Sequence, residues 1–234
     1  MRLNHLSLLL LVLVLAAICG LASEKPQRTN GAAVAGAMSF SYTFEGPRFF
    51  LRSIEIDLAQ DGTGDLRFKR GESDEVLDCK VKLMPPTIAR IRQLFEASAF
   101  LASDAVYQDK KDFSHMGWVT LGARQGARER KTRFNFTANV HIKELQEIFF
   151  GIAWQEIALF DIENAERYQP LDLPKQLETL ENDLRLERIA EPARVLAALN
   201  EIAGDDSQPL IARNHAKRIV EAITKGKFKS PVKK

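Results

Sequence analysis

Residues 38–46, "MSFSYTFEG", and 52–71, "RSIEIDLAQDGTGDLRFKRG", decide the fold of this chain. In the first stretch Phe40, Tyr42 and Phe44 alternate with serine and threonine, the period of two that puts one face of a strand on a core. In the second, Ile54, Ile56 and Leu58 share one face, and Leu66 and Phe68 resume it beyond Asp61-Gly62-Thr63-Gly64. Asp-Gly between alternating apolar runs marks a hairpin. With "VLDCKVKLM" at 76–84 as a further strand, residues 39–84 read as a four-stranded antiparallel meander.

Working outward, Pro85-Pro86-Thr87 ends the strands and opens a helix, because proline suits a first helical turn. Ile88, Ile91, Leu94 and Phe95 follow at helical spacing. The stretch "HMGWVTLGARQGARERKTRFNFT" (115–137) predicts a second hairpin. From Asn139 to Arg167 a long helix carries Leu145, Ile148, Phe149, Ile152, Ile157 and Phe160. Apolar residues nearly encircle it, so it is expected to be a buried central element. Residues 39–168 therefore make an α+β domain of antiparallel meander and hairpin packed with two helices.

Residues 169–226 read as three amphipathic helices. Asp172 is placed to cap the first, with Leu173, Leu177, Leu180 and Leu184 on one face. Pro192 opens the second, with Val195, Leu196, Leu199 and Ile202. Pro209 opens the third, with Ile211, Ala212, Ala216, Ile219, Val220 and Ile223 facing inward, ending at Gly226. No internal repeat supports a solenoid.

The chain starts with Arg2, an apolar run from Leu6 to Ala22 and small residues at Gly20 and Ala22, the pattern of a signal peptide cut before Ser23. Residues 1–22 are read as that signal, and 23–38 as a flexible linker. The expected location is secreted or periplasmic. Two alternatives are an uncleaved anchor formed by residues 6–22 and lipid attachment at Cys19, which bulky Ile18 opposes. Loss of residues 1–22 leaves Cys79 as the one thiol of the mature chain, so no internal disulfide framework is available. Cys79 reads as a small buried hydrophobe in a strand, the alternatives being an intermolecular disulfide or a reactive thiol.

Motifs for chemistry are sparse. His115, His141 and His215 sit in three different elements without metal-ligand spacing, so neither a metal nor a cofactor is expected. There is no nucleophile elbow and no phosphate-binding glycine loop. Asp61–Asp65 reads as a hairpin turn rather than a calcium loop. Glu72, Asp74, Glu75 and Asp78 read as a solvated turn, with an acid–base pair as the alternative. Asn135-Phe136-Thr137 fits a glycosylation sequon by pattern alone.

Charge is distributed unevenly. The chain's formal net charge is +2. Residues 23–212 carry 24 basic and 30 acidic side chains, whereas the last 22 residues carry eight basic and one acidic. The eight are Arg213, Lys217, Arg218, Lys225, Lys227, Lys229, Lys233 and Lys234, opposed by Glu221. They are candidates for weak contact with an anionic surface. The alternatives are a solvated helix end with a disordered tail at 227–234, or a tail folded on the acidic body. Nucleic acid is not an expected partner. An unknown protein or an envelope polymer is, and no membrane span is expected to remain after signal cleavage.

These features point to an exported, non-catalytic binding or interaction module. The rival readings are an envelope hydrolase using a cleft of carboxylates or Cys79, and a structural protein held by an uncleaved N-terminal helix.

Overall fold

The computed structural model describes residues 36–232. The expected signal peptide, Cys19, most of the linker, and Lys233 and Lys234 lie outside the described residues. Six antiparallel strands form one sheet: β1 (Met38–Glu45), β2 (Leu51–Leu58), β3 (Thr63–Arg70), β4 (Leu77–Lys82), β5 (Trp118–Gln125) and β6 (Arg128–Phe134). Their order is β4-β3-β2-β1-β5-β6, so the meander and the hairpin become one sheet through β1. Tyr42 stands opposite Ile56 on one side and Leu121 on the other. That register puts Phe40, Tyr42, Phe44, Ile54, Ile56, Leu66, Phe68, Val119 and Leu121 on one buried face. The opposite face carries cross-strand ion pairs, such as Arg67 with Glu55 at 3.0 Å and with Asp57 at 2.7 Å. At the β2–β3 turn, Asp61 Oδ1 accepts from the Thr63 amide at 3.0 Å, and Gly62 holds φ +81°, as the Asp-Gly reading requires.

Helix α1 (Pro85–Ala97) and the 29-residue α2 (Val140–Tyr168) cover the apolar face. At 1.5 Å per residue α2 is about 43 Å long, and its buried surface divides along its length. Ile142, Leu145, Ile148, Phe149, Ile152 and Ile157 pack with the sheet. Ile162 and Ala165 belong to a second apolar cluster with α3 (Leu173–Arg185), α4 (Leu196–Gly204) and α5 (Leu210–Thr224). The Tyr42 and Phe149 rings stack at 5.3 Å, and Phe40 stacks on Phe95 at 5.2 Å, so aromatic contacts tie both helices to the central strand. Among the described residues no helix is long and apolar enough to cross a membrane.

Several details depart from expectation. Pro192 opens a 3₁₀ turn, Pro192–Val195, ahead of α4 rather than the helix itself, and Ile211, expected to face inward, is 68% exposed on α5. Asp172 makes no side-chain cap; it ends a 3₁₀ turn, Pro170–Asp172, that leads straight into α3. The tail is also not free along its described length. Phe228 packs on the helical cluster, Val232 on the sheet cluster, and the Ser230 hydroxyl donates to the Ala190 carbonyl. The apolar residues between the lysines account for this, since their burial outweighs the freedom of a short terminus.

Asn139 Oδ1 accepts from the amides of His141 and Ile142, both at 3.1 Å, closing the N-terminus of α2. Asn139→Ala removes that cap and is expected to cost about 1 kcal/mol. At this chain length that lowers Tm by roughly 2–4 °C, measurable by thermal unfolding followed by circular dichroism.

Candidate functional site

A cleft of about 660 Å³ opens at one end of the sheet's buried face. β1 supplies Tyr42 and Phe44, the β1–β2 loop Phe49 and Phe50, and α2 Phe150, Gly151 and Trp154. The tail closes one side with Ser230 and Pro231. The rings form a connected wall: Phe44 lies 6.1 Å from Phe49 and 5.8 Å from Phe150, and Phe150 lies 5.8 Å from Trp154.

Two glycines make this geometry attainable. Gly117 has φ +91°, and a Cβ there would stand 2.7 Å from both the Glu45 carbonyl oxygen and the Phe44 ring. Gly151 lets the chain at 188–190 and the tail lie against α2. A Cβ at Gly151 would meet Pro231 Cγ at 3.2 Å, and the Ala190 nitrogen and Arg188 oxygen at 3.3 Å. The Ala190 amide accordingly donates to the Gly151 carbonyl, at 3.3 Å.

The polar groups are few. Tyr42 Oη and Trp154 Nε1 are buried with no hydrogen-bond partner among the described residues. Burial drives the Tyr42 hydroxyl's pKa upward, so it remains a neutral donor. Arg188 lies 6.0 Å from the Trp154 ring centre and 3.4 Å from Asp183. It reaches the cleft because Glu187, with φ +56°, turns the chain at the end of α3, where glycine more often stands. Glu147 and Glu187 are exposed at the rim, and Glu147 pairs with Lys143 at 3.9 Å.

The six basic candidates among the described residues do not form one patch; Lys233 and Lys234 lie outside them. Arg213 pairs with Asp206 and Lys225 with Glu221, each partly neutralised. Lys217 is exposed on α5. Arg218 and Lys227 share a shallow depression of about 430 Å³ with Arg185, Glu181 and Glu221. Lys229 is exposed and directly precedes the cleft-lining Ser230.

Cys79 is half-buried on β4, an edge strand, and packs against the sheet cluster. Burial, reinforced by Glu156 and Asp78, pushes its thiol up to about 12. Glu156 belongs to a buried polar junction between the two clusters. Gln155 Nε2 donates to Glu156 at 3.0 Å, the Glu191 amide donates to Gln155 Oε1 at 2.7 Å, and the Met84 amide donates to Glu191 Oε1 at 2.8 Å.

Of the other sequence candidates, Asp74 pairs with Arg52 at 3.2 Å in an exposed turn. Asn135 is committed to loop structure: its Oδ1 accepts from Gln108 Nε2 and the Phe113 amide, both at 3.1 Å. His215 Nε2 lies 2.7 Å from Glu181 Oε2. Among the described residues no three His, Cys, Asp or Glu side chains converge as a metal site. The aromatic cleft itself was not apparent from sequence periodicity. Its one local signal is Arg48-Phe49-Phe50 after Gly46-Pro47, an aromatic pair where a turn ordinarily carries polar residues.

Two outcomes follow. A thiol held this high leaves little thiolate at neutral pH, so Cys79 is expected to react with a disulfide reagent far more slowly in the native protein than in urea. Burial also raises the Glu156 pKa, so the folded protein holds that proton more tightly than the unfolded chain. Its contribution to stability is fully present below the ordinary carboxylate range and is lost as pH rises through that range to the raised value. Glu156→Gln is therefore expected to gain stability relative to the parent as pH rises above the ordinary carboxylate range, read as the difference in urea midpoints.

No protein-family description matches this chain, and a search of curated proteins finds no match, so a functional reading stands on this geometry.

Proposed function

We propose that the chain is an exported, non-catalytic binding module that takes an apolar or amphiphilic small molecule into the aromatic cleft. The observation that carries this is the pairing of a ring-lined cavity of about 660 Å³ with two buried, unpartnered donors, Tyr42 Oη and Trp154 Nε1. That size falls within the span of small-molecule sites, which are mostly apolar with a few polar groups fixing orientation. Donors without acceptors favour a ligand whose apolar body fills the ring wall and whose carbonyl, carboxylate or phosphate oxygen accepts from them. Export comes from the Leu6–Ala22 pattern.

A hydrolase remains the second reading because Glu147 and Glu187 both line the cleft. Both are solvent-exposed, whereas carboxylate pairs gain their division into acid and base from unequal environments. Cys79 does not line the cleft, and its raised pKa disfavours a nucleophilic role.

Trp154 is a built-in reporter. The other tryptophan, Trp118, lies on the ion-paired face with the Arg133 guanidinium 4.7 Å from its ring centre. In the Trp118→Phe variant, monomeric dodecanoate is expected to shift Trp154 emission saturably and to raise Tm. If neither quantity moves with dodecanoate, a long-chain alcohol or a lysophospholipid, the ligand reading fails. Loss of turnover of an ester substrate in Glu147→Gln would instead favour the hydrolase.

A further inference from the structure

The mouth of the cleft has the composition of a membrane-contacting surface. Phe49 is 39% exposed, Phe50 71% and Met116 54%, three large apolar side chains standing together at the rim. Apolar groups gathered in this way signal a partner more often than scattered ones do. Basic residues adjoin the segments that line the cleft, although Glu72 follows Gly71 beside the Phe50 ring. Arg48 immediately precedes the aromatic pair, Arg188 lines the cleft, and Lys229 precedes the tail residues that close it. Lys233 and Lys234 follow Val232 in sequence. The carboxylates on the same mouth are Glu147, which Lys143 accompanies, and Glu187.

We propose that this mouth docks on an anionic lipid bilayer. The Phe49–Phe50 loop enters the headgroup region, the basic residues meet lipid phosphates, and the cleft opens toward the membrane from which its amphiphile enters. The inference rests on the ligand reading above and supplies its source. Two features commit it to a bilayer rather than to a soluble polyanion. A polyanion uses the cations alone, and it leaves Phe50 in water. A bilayer satisfies both, since apolar burial and attraction to anionic headgroups add in interfacial binding.

The test uses protein beginning at Ser23, so that the apolar run at 6–22 plays no part; Gly36 onward is a compact unit by itself. Sedimentation is measured with vesicles of phosphatidylcholine alone and of phosphatidylcholine with an equal part of phosphatidylglycerol, at low and high salt. Binding is expected only to the anionic vesicles and is expected to weaken with salt. Arg48→Glu with Lys229→Glu, both at exposed positions, is expected to lose about tenfold in affinity. Phe50→Ser, at an exposed loop position, is also expected to lose about tenfold. Lys175→Glu with Lys217→Glu, the same charge change on exposed positions of the helical segment, is expected to change it little.

Equal loss in the Lys175/Lys217 variant, or undiminished binding by Phe50→Ser, overturns the proposal. The second result is what a purely ionic, polyanion-type contact gives. The Trp154 response to monomeric dodecanoate, recorded on the same proteins, separates the two readings. Vesicle binding without that response sinks the ligand reading and leaves the docking surface. The response without vesicle binding does the reverse.

Discussion

The structure depends on one helix being buried twice. Along α2, Ile142 to Ile157 face the sheet, while Ile162 and Ala165 face the three-helix segment. The helix's middle turns, residues 151–157, are buried almost all round, and such a stretch cannot stand against water on any side. Each cluster therefore needs the other to complete the helix's cover. This explains why, among the described residues, the sheet keeps one face ion-paired: its second layer is spent on α1 and α2, and no described helix covers the side of Arg67, Glu55 and Asp57.

The same burial fixes the junction where the two clusters meet. Here α2 presents Gln155 and Glu156, and the chain between α3 and α4 returns with Ala190 and Glu191. Groups this deep must be hydrogen-bonded, and most are, through the chain Met84, Glu191, Gln155 and Glu156. Gly151, one turn earlier, permits the close approach that forms the junction. The cleft is a by-product of that approach. Once the 188–190 segment and the tail lie over Gly151, the rings of Phe44, Phe150 and Trp154 beneath them are roofed rather than filled.

The legible and illegible parts of this molecule separate along physical lines. Period-two alternation in β1 to β3 and helical spacing in α1 and α3 to α5 are local, and they appear in the structure at those residues. The joining of meander to hairpin through β1 and β5 depends on residues some eighty positions apart, such as Phe44 opposite Val119, which no local pattern encodes. The tail is the sharper case. Its lysines dominate a reading by charge, yet Phe228, Pro231 and Val232 decide its path, because they bury area while Lys227 and Lys229 on either side of Phe228 stay in water. The cleft was hidden for a related reason: its lining comes from β1, a turn, α2 and the C-terminus, and only Phe49-Phe50 is conspicuous in isolation.

The position of the basic end acquires a physical meaning from that path. Arg213 on α5 and Lys225 just beyond it are each held by an acidic neighbour. Lys217 and Arg218 stay exposed on α5, and among the described tail residues Lys229 stands exposed directly before the cleft-lining Ser230. Lys229 thereby sets a positive charge beside the cleft whose rim is apolar. In water, Phe50 at the rim is exposed apolar surface without compensation. Against an interface that is apolar within and anionic at its surface, the ring and the lysines are favourable together, and the side on which they lie is the side on which the cleft opens.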